Sequence, residues 1–170
     1  MISQTINNKS KIYFNGSKWN IKKYGTIEII AKLNRRNYYL CKFDDGTIVE
    51  ARSSNIKAGV VKNPNYPIIY NMGYIGEGKW KSRINNLETK EYMLWYSMFD
   101  RCYSKKYPTY NNCEVSKRWY NFQNFCEDIK ELKGYEKWKE NRVKMELDKD
   151  IKSKENKLYG RNTCIFMARS

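Results

Sequence analysis

The sequence predicts an α+β protein in two parts, a small strand-rich part followed by a more helical one. Three observations lead there. Residues 26–52 hold short β-branched and aromatic runs separated by tight-turn residues. Two later stretches repeat apolar residues at helical spacing. Between them, residues 60–86 contain Pro64, Pro67, Gly73, Gly76 and Gly78 with little periodicity. The expected organisation is a mobile N-terminal segment over 1–18, a β-rich domain over 19–60, a connecting loop over 61–87 and an α+β domain over 88–170.

Residues 1–18 are polar, rich in Asn, Ser and Lys, and are expected to be mobile except where Ile12–Phe14 docks. Thr26–Leu33 and Asn37–Phe43 read as strands around a turn at Asn34–Arg36. Asp44-Asp45-Gly46 is a hairpin signal that returns the chain as a third strand, Thr47–Arg52. Three short strands on tight turns predict a small antiparallel barrel or curled sheet of SH3-like type. Ser53-Ser54-Asn55-Ile56 reads as one helical turn, with Gly59 as its stop. In the second part, Trp95, Met98, Phe99 and Cys102 fall at i, i+3, i+4 and i+7, predicting a helix over about 89–103 with Thr89 as N-cap. Phe122, Phe125, Cys126 and Ile129 repeat the spacing in a helix over about 117–132, which Gly134 is placed to end. Met145–Leu147 and Thr163–Met167 read as short strands flanking a turn-rich segment.

Charge narrows the partner. The 170 residues carry 33 Lys/Arg against 18 Asp/Glu, a formal net charge of +15. Such a chain repels its own copies and attracts polyanions, of which phosphate backbones are the commonest. Five cysteines, at 41, 102, 113, 126 and 164, are odd in number and irregular in spacing, and no signal peptide opens the chain, so a reducing, cytoplasmic setting is expected. Histidine is absent. That removes the commonest general base near neutral pH, the commonest zinc ligand, and every Ser-His or Cys-His nucleophile. The expectation is a protein that is not an enzyme and needs no cofactor.

The order of residues in the second part is informative as a whole. Trp95, Met98 and Arg101-Cys102-Tyr103 are followed by Tyr110, Cys113, Val115, Trp119, Phe122, Phe125 and Gly134-Tyr135. Leu147-Asp148-Lys149-Asp150, Tyr159 and Thr163-Cys164 complete it. This order resembles bacteriophage HNH-endonuclease-like proteins over about half of the chain, and the element Ser54-Asn55-Ile56-Lys57-Ala58-Gly59 extends the likeness to strand-rich phage proteins. The resemblance implies a treble-clef, HNH-like C-terminal domain and affinity for nucleic acid. Family members with intact sites cleave DNA with a His base and one divalent metal. Here Lys149 and Ile151 stand where a His is wanted, so the resemblance implies a scaffold without the cleavage.

Two metal readings remain beside this. Asp148 and Asp150 could coordinate Mg²⁺ in a His-independent nuclease, against a plain turn or N-cap role. The spacing C-x10-C-x12-C-x37-C from Cys102 to Cys164 offers weak support for zinc, since no C-x2-C knuckle occurs and Cys102 and Cys126 lie on apolar helix faces.

The candidate nucleic-acid contacts are the basic clusters: Lys22 and Lys23; Arg35 and Arg36; Lys79, Trp80, Lys81 and Arg83; Arg101; Lys105 and Lys106; and Lys117 and Arg118. Lys79-Trp80-Lys81 and Lys105-Lys106-Tyr107 interleave cations with aromatics, as single-strand binders do. Lys117 and Arg118 sit at an expected helix start, against the helix dipole, which suggests a purpose beyond stability. The expected partner is DNA or RNA, or a host nuclease–nucleic acid complex, the sharper form being an anti-defence (anti-CRISPR or anti-restriction) inhibitor. A protein-binding module using Tyr38, Tyr39 and Phe43 is the other class.

Overall fold

The computed structural model describes residues 15–140, 144–149 and 156–168. The chain divides into two compact units, residues 1–63 and 64–170. The fold is mixed α and β, and most of segment 1–18 lies outside the described residues.

The first unit is a four-stranded antiparallel sheet in simple meander order: β1 (Lys18–Ile21), β2 (Gly25–Lys32), β3 (Tyr38–Phe43) and β4 (Ile48–Arg52). The three expected strands are present, and β1 adds a fourth at the start of the expected β-rich domain, where the sequence predicts no strand. No β1–β4 pairing closes the sheet among the described residues, so of the expected barrel or curled sheet the closed barrel is not formed. A bulge between Ile29 and Ala31 shifts the β2–β3 register. Alternation explains the core: Ile21, Ile27, Ile29, Tyr39, Cys41, Phe43, Val49 and Ala51 all face one side. Helix α1 (Ser53–Ala58) presses Ile56, 1% exposed, onto that side, a burial worth roughly 1.5–3 kcal/mol. Gly59 ends α1 in the left-handed region at φ +67°, as its sequence position predicts.

The second unit is built on two helices. Helix α2 (Lys90–Tyr103) follows a short hairpin of β5 (Arg83–Ile84) and β6 (Leu87–Glu88), and Thr89 caps it by accepting the Tyr92 N–H at 3.3 Å. Trp95, Met98, Phe99 and Cys102 form its buried face, as the spacing predicts. The Trp95 indole N–H donates to the Trp119 carbonyl at 2.7 Å, satisfying a donor with no access to solvent.

The expected second helix is divided. A 3₁₀ turn covers Lys117–Tyr120 and helix α3 covers Phe122–Lys130, with an extended Asn121 between them. The cause is a distant segment. Tyr74 donates its N–H to the Tyr120 carbonyl and accepts from the Phe122 N–H, both at 2.9 Å, drawing the backbone at 121 into a parallel bridge. Asn121 then caps α3 by accepting the Gln123 N–H at 2.8 Å.

That bridge also places the expected connecting loop. Residues 64–80 are tied into the second unit, where buried Gln123 donates to the carbonyls of Ile75 and Trp80 and accepts the Trp80 N–H at 2.9 Å. Gly134, at φ +89°, does not end α3. It opens helix α4 (Tyr135–Lys139), whose Trp138 stacks on Phe166 with centroids 4.8 Å apart. Strand β7 (Glu114–Val115) pairs in parallel with β9 (Leu158–Tyr159), and β8 (Met145–Asp148) pairs antiparallel with β10 (Ile165–Ala168). No helix among the described residues is long and apolar enough to cross a membrane.

Candidate nucleic-acid interface

In the first unit the topology separates the two basic clusters. Lys22 and Lys23 occupy the β1–β2 turn, at the same sheet end as the β3–β4 turn carrying Asp44 and Asp45. Asp44 reaches across to accept the Thr26 N–H at 3.0 Å. Arg35 and Arg36 occupy the β2–β3 turn at the opposite end. Arg35 pairs with Glu50 at 3.2 Å and lies over the Tyr38 ring at 3.3 Å, while Arg36 is exposed with no ion pair among the described residues.

In the second unit the candidates from Lys79 to Arg83 precede α2, Arg101, Lys105 and Lys106 lie at its C-terminal end, and Lys117 and Arg118 sit on the 3₁₀ turn before α3. The fourteen residues of α2 separate its two ends by about 20 Å. At the N-terminal end, Lys79 pairs with Glu127 at 2.9 Å, and the Trp80 indole N–H donates to the same carboxylate at 2.7 Å. Lys130 completes this cluster at 3.1 Å. These three donors, Lys79 foremost, hold the Glu127 carboxyl down at about 2. Trp80 is therefore half-buried and tethered, and not the open stacking platform its sequence neighbours suggest. Arg83 pairs with Glu88 at 3.0 Å across the hairpin, and Lys81 is exposed with no ion pair among the described residues.

Lys117 and Arg118 also part company. Lys117 points to solvent, whereas the Arg118 guanidinium grips Asp128 with two bonds of 2.7 and 3.0 Å. Asp128 is 2% exposed, and it also accepts the Trp119 indole N–H at 2.9 Å. The expected helix start at Lys117 and Arg118 is a 3₁₀ turn, so no α-helix dipole opposes them; Arg118 instead neutralises a buried carboxylate on α3.

The C-terminal end of α2 is different in kind. Arg101 directs its guanidinium carbon to within 5.6 Å of the ring centroids of both Tyr110 and Tyr159. Lys149, 5% exposed, brings its ammonium to 5.9 and 5.8 Å of the same two rings. Four separate segments supply this cluster: the last turn of α2, a 3₁₀ turn over Pro108–Tyr110, strand β9, and the residue following β8. At these distances the ring faces attract the cations only modestly. The Nε of Arg101 is buried and has no hydrogen-bond partner, a deficit of about 1–3 kcal/mol for such a donor. Lys105 and Lys106 leave the same end of the helix, both exposed, with Lys106 3.6 Å from Asp100.

The thiol and the hydroxyl nearest this cluster are held in their neutral forms. Burial, followed by the neighbouring Cys113, pushes the Cys102 thiol up to about 12, although Arg101 and Lys149 pull it back. Burial likewise raises the Tyr159 hydroxyl above its ordinary range. Neither group ionises near neutral pH, so neither offers a nucleophile.

Asp148 is half-buried in β8, and Asp150 lies outside the described residues. Cys102 feels the charge of Cys113 and Cys164, whereas Cys126 responds to Glu91 and Glu127. The four spaced cysteines therefore do not share one centre. No group of three or more His, Cys, Asp or Glu residues among the described ones is disposed to hold a metal ion.

Sequence reasoning identified Arg101 but not its companions. Lys149 was read only as the occupant of an expected His position, and Tyr110 and Tyr159 only as marks of a pattern. The signal that joins them is an aromatic–cation juxtaposition across 58 residues, from Arg101 to Tyr159, which no local spacing encodes. No family model, curated protein or solved structure matches the chain.

Proposed function

We propose that the chain is a nucleic-acid-binding protein, and that the Arg101–Lys149 cluster of the second unit takes a backbone phosphate. The observation that carries this reading is Arg101: a guanidinium beside a second cation, framed by two tyrosine rings, with one buried N–H unanswered. A phosphate oxygen supplies the acceptor that the Arg101 guanidinium lacks, as the Asp128 carboxylate does for Arg118 elsewhere in the unit. Lys105 and Lys106 extend the cationic surface, and the net charge of +15 supplies long-range attraction.

The scaffold reading is part of the same proposal: an SH3-like sheet followed by an HNH-like, treble-clef unit that does not cleave. Its support is the ordered pattern of Trp95 through Cys164 and the absence of histidine from the whole sequence. The phage resemblance also motivates the sharper form, an inhibitor that occupies the nucleic-acid channel of a host nuclease.

The test is binding of the full chain to labelled single-stranded and duplex oligonucleotides by fluorescence anisotropy across a salt series. Affinity falls steeply with salt, and Arg101→Met reduces the slope of log K against log salt by about one. Plasmid incubated with the protein and Mg²⁺ or Mn²⁺ stays intact. Absence of binding at low salt, or an Arg101→Met slope equal to that of the wild type, refutes the proposal.

A further inference from the structure

The hairpin ahead of α2 has a construction that phosphate contact does not explain. It has only two residues in each strand, joined by Asn85 and Asn86 in the left-handed region at φ +50° and +65°, the requirement of a tight two-residue turn. Ile84 and Leu87 are direct cross-strand partners, so their side chains share one face, and they stand 58% and 74% exposed. The other pair, Arg83 and Glu88, is joined by its salt bridge. A ribbon this short is not stable by itself. Its base is fixed to the capping residue of α2: Thr89 donates its N–H to the Ser82 carbonyl and its hydroxyl to the Lys81 carbonyl, both at 2.9 Å. The result is a supported finger with two apolar side chains at the tip, two side-chain amides in the turn and the exposed Lys81 at the root.

We infer that this finger is a wedge that enters a groove of double-stranded nucleic acid and inserts Ile84 and Leu87 against the base stack. The inference rests on the nucleic-acid reading above and deepens it. Apolar side chains that unstack a base step are a recurrent device of groove-binding proteins, and they work when flanking cations hold the backbone. Three features select this occupant. The net charge of +15 disfavours a second copy of the chain and favours a polyanion. Lys81 sits where a phosphate would flank the tip. Asn85 and Asn86 place amide donors and acceptors beside the apolar pair; base edges in a groove match them, whereas hydrocarbon would leave them unsatisfied.

The experiment uses the full chain with duplexes carrying 2-aminopurine, whose fluorescence rises on unstacking, in matched DNA and RNA forms. The wild type raises the fluorescence of at least one duplex on binding. Ile84→Ala/Leu87→Ala, which alters only exposed positions, keeps the wild-type melting temperature and the wild-type salt slope. It loses the fluorescence rise and binds about tenfold or more weakly. Lys81→Ala lowers the slope by about one and retains the rise. A double variant that still unstacks the duplex, or a wild type that binds without unstacking, overturns the wedge while leaving nucleic-acid binding intact. A wild type that binds no nucleic acid at low salt removes both. Loss of affinity for anionic phospholipid vesicles, with duplex binding unchanged, would make the finger a lipid anchor and also overturn the inference.

Discussion

Arg118 belongs to the basic surface by sequence and to the core by structure, and substitution separates the two roles. Its guanidinium is about half exposed, with 53% of the side chain accessible, but its partner Asp128 is 2% exposed. Arg118→Ala removes two charge-assisted bonds of 2.7 and 3.0 Å. Solvent screening of the arginine lowers the loss, and the Trp119 N–H and Arg161, 3.7 Å away, remain to the carboxylate. A cost of about 2 kcal/mol results. Asp128→Ala is worse, since it also strands the buried Trp119 N–H, and about 3–4 kcal/mol is expected. In a unit of this size each kcal/mol lowers Tm by roughly 3–6 °C. Four of the five tryptophans, Trp80, Trp95, Trp119 and Trp138, lie in the second unit, so thermal unfolding followed by tryptophan fluorescence reports it selectively. Arg118→Ala should melt roughly 8 °C low and leave the salt slope of nucleic-acid binding unchanged. An unchanged Tm with a slope reduced by about one would refute the structural role and make Arg118 a phosphate ligand.

Two further outcomes test the second unit. The Glu127 carboxyl, held at about 2 by Lys79, Trp80 and Lys130, is depressed relative to the unfolded chain. Its stabilising effect is therefore complete above the ordinary carboxylate range near 4.3 and is lost as pH falls toward 2. A carboxyl NMR titration of Glu127 should show a midpoint near 2, and a midpoint near 4.3 would contradict the three-donor geometry. Gly134→Ala places a Cβ 2.4 Å from the Phe166 carbonyl oxygen at φ +89°, so backbone must move as well as adopt an unfavourable conformation. A loss of about 3 kcal/mol is expected from urea unfolding, and a loss below about 1 kcal/mol would show that α4 is not seated as described.

The sequence by itself determined the elements whose signals are local. Alternation and the Asp44-Asp45-Gly46 turn specify β3 and β4, since side-chain period and turn chemistry are properties of adjacent residues. The i, i+3, i+4, i+7 apolar set and Thr89 specify α2 and its start for the same reason. The absence of histidine and the net charge of +15 are likewise complete without any structure. What the tertiary structure decided depends on partners far apart in the chain. Tyr74 breaks the helical pattern at Asn121, because a backbone bridge to 120 and 122 outcompetes the helix. Asp128 claims Arg118 because a buried carboxylate draws in the nearest cation, and Glu127, at the surface, gathers Lys79 and Lys130. Arg101, Tyr110, Lys149 and Tyr159 meet only when α2, the 3₁₀ turn and the strand ends fold together. Charge is additive along a chain and can be read from it; which cations remain free to meet a phosphate depends on distances that only folding creates.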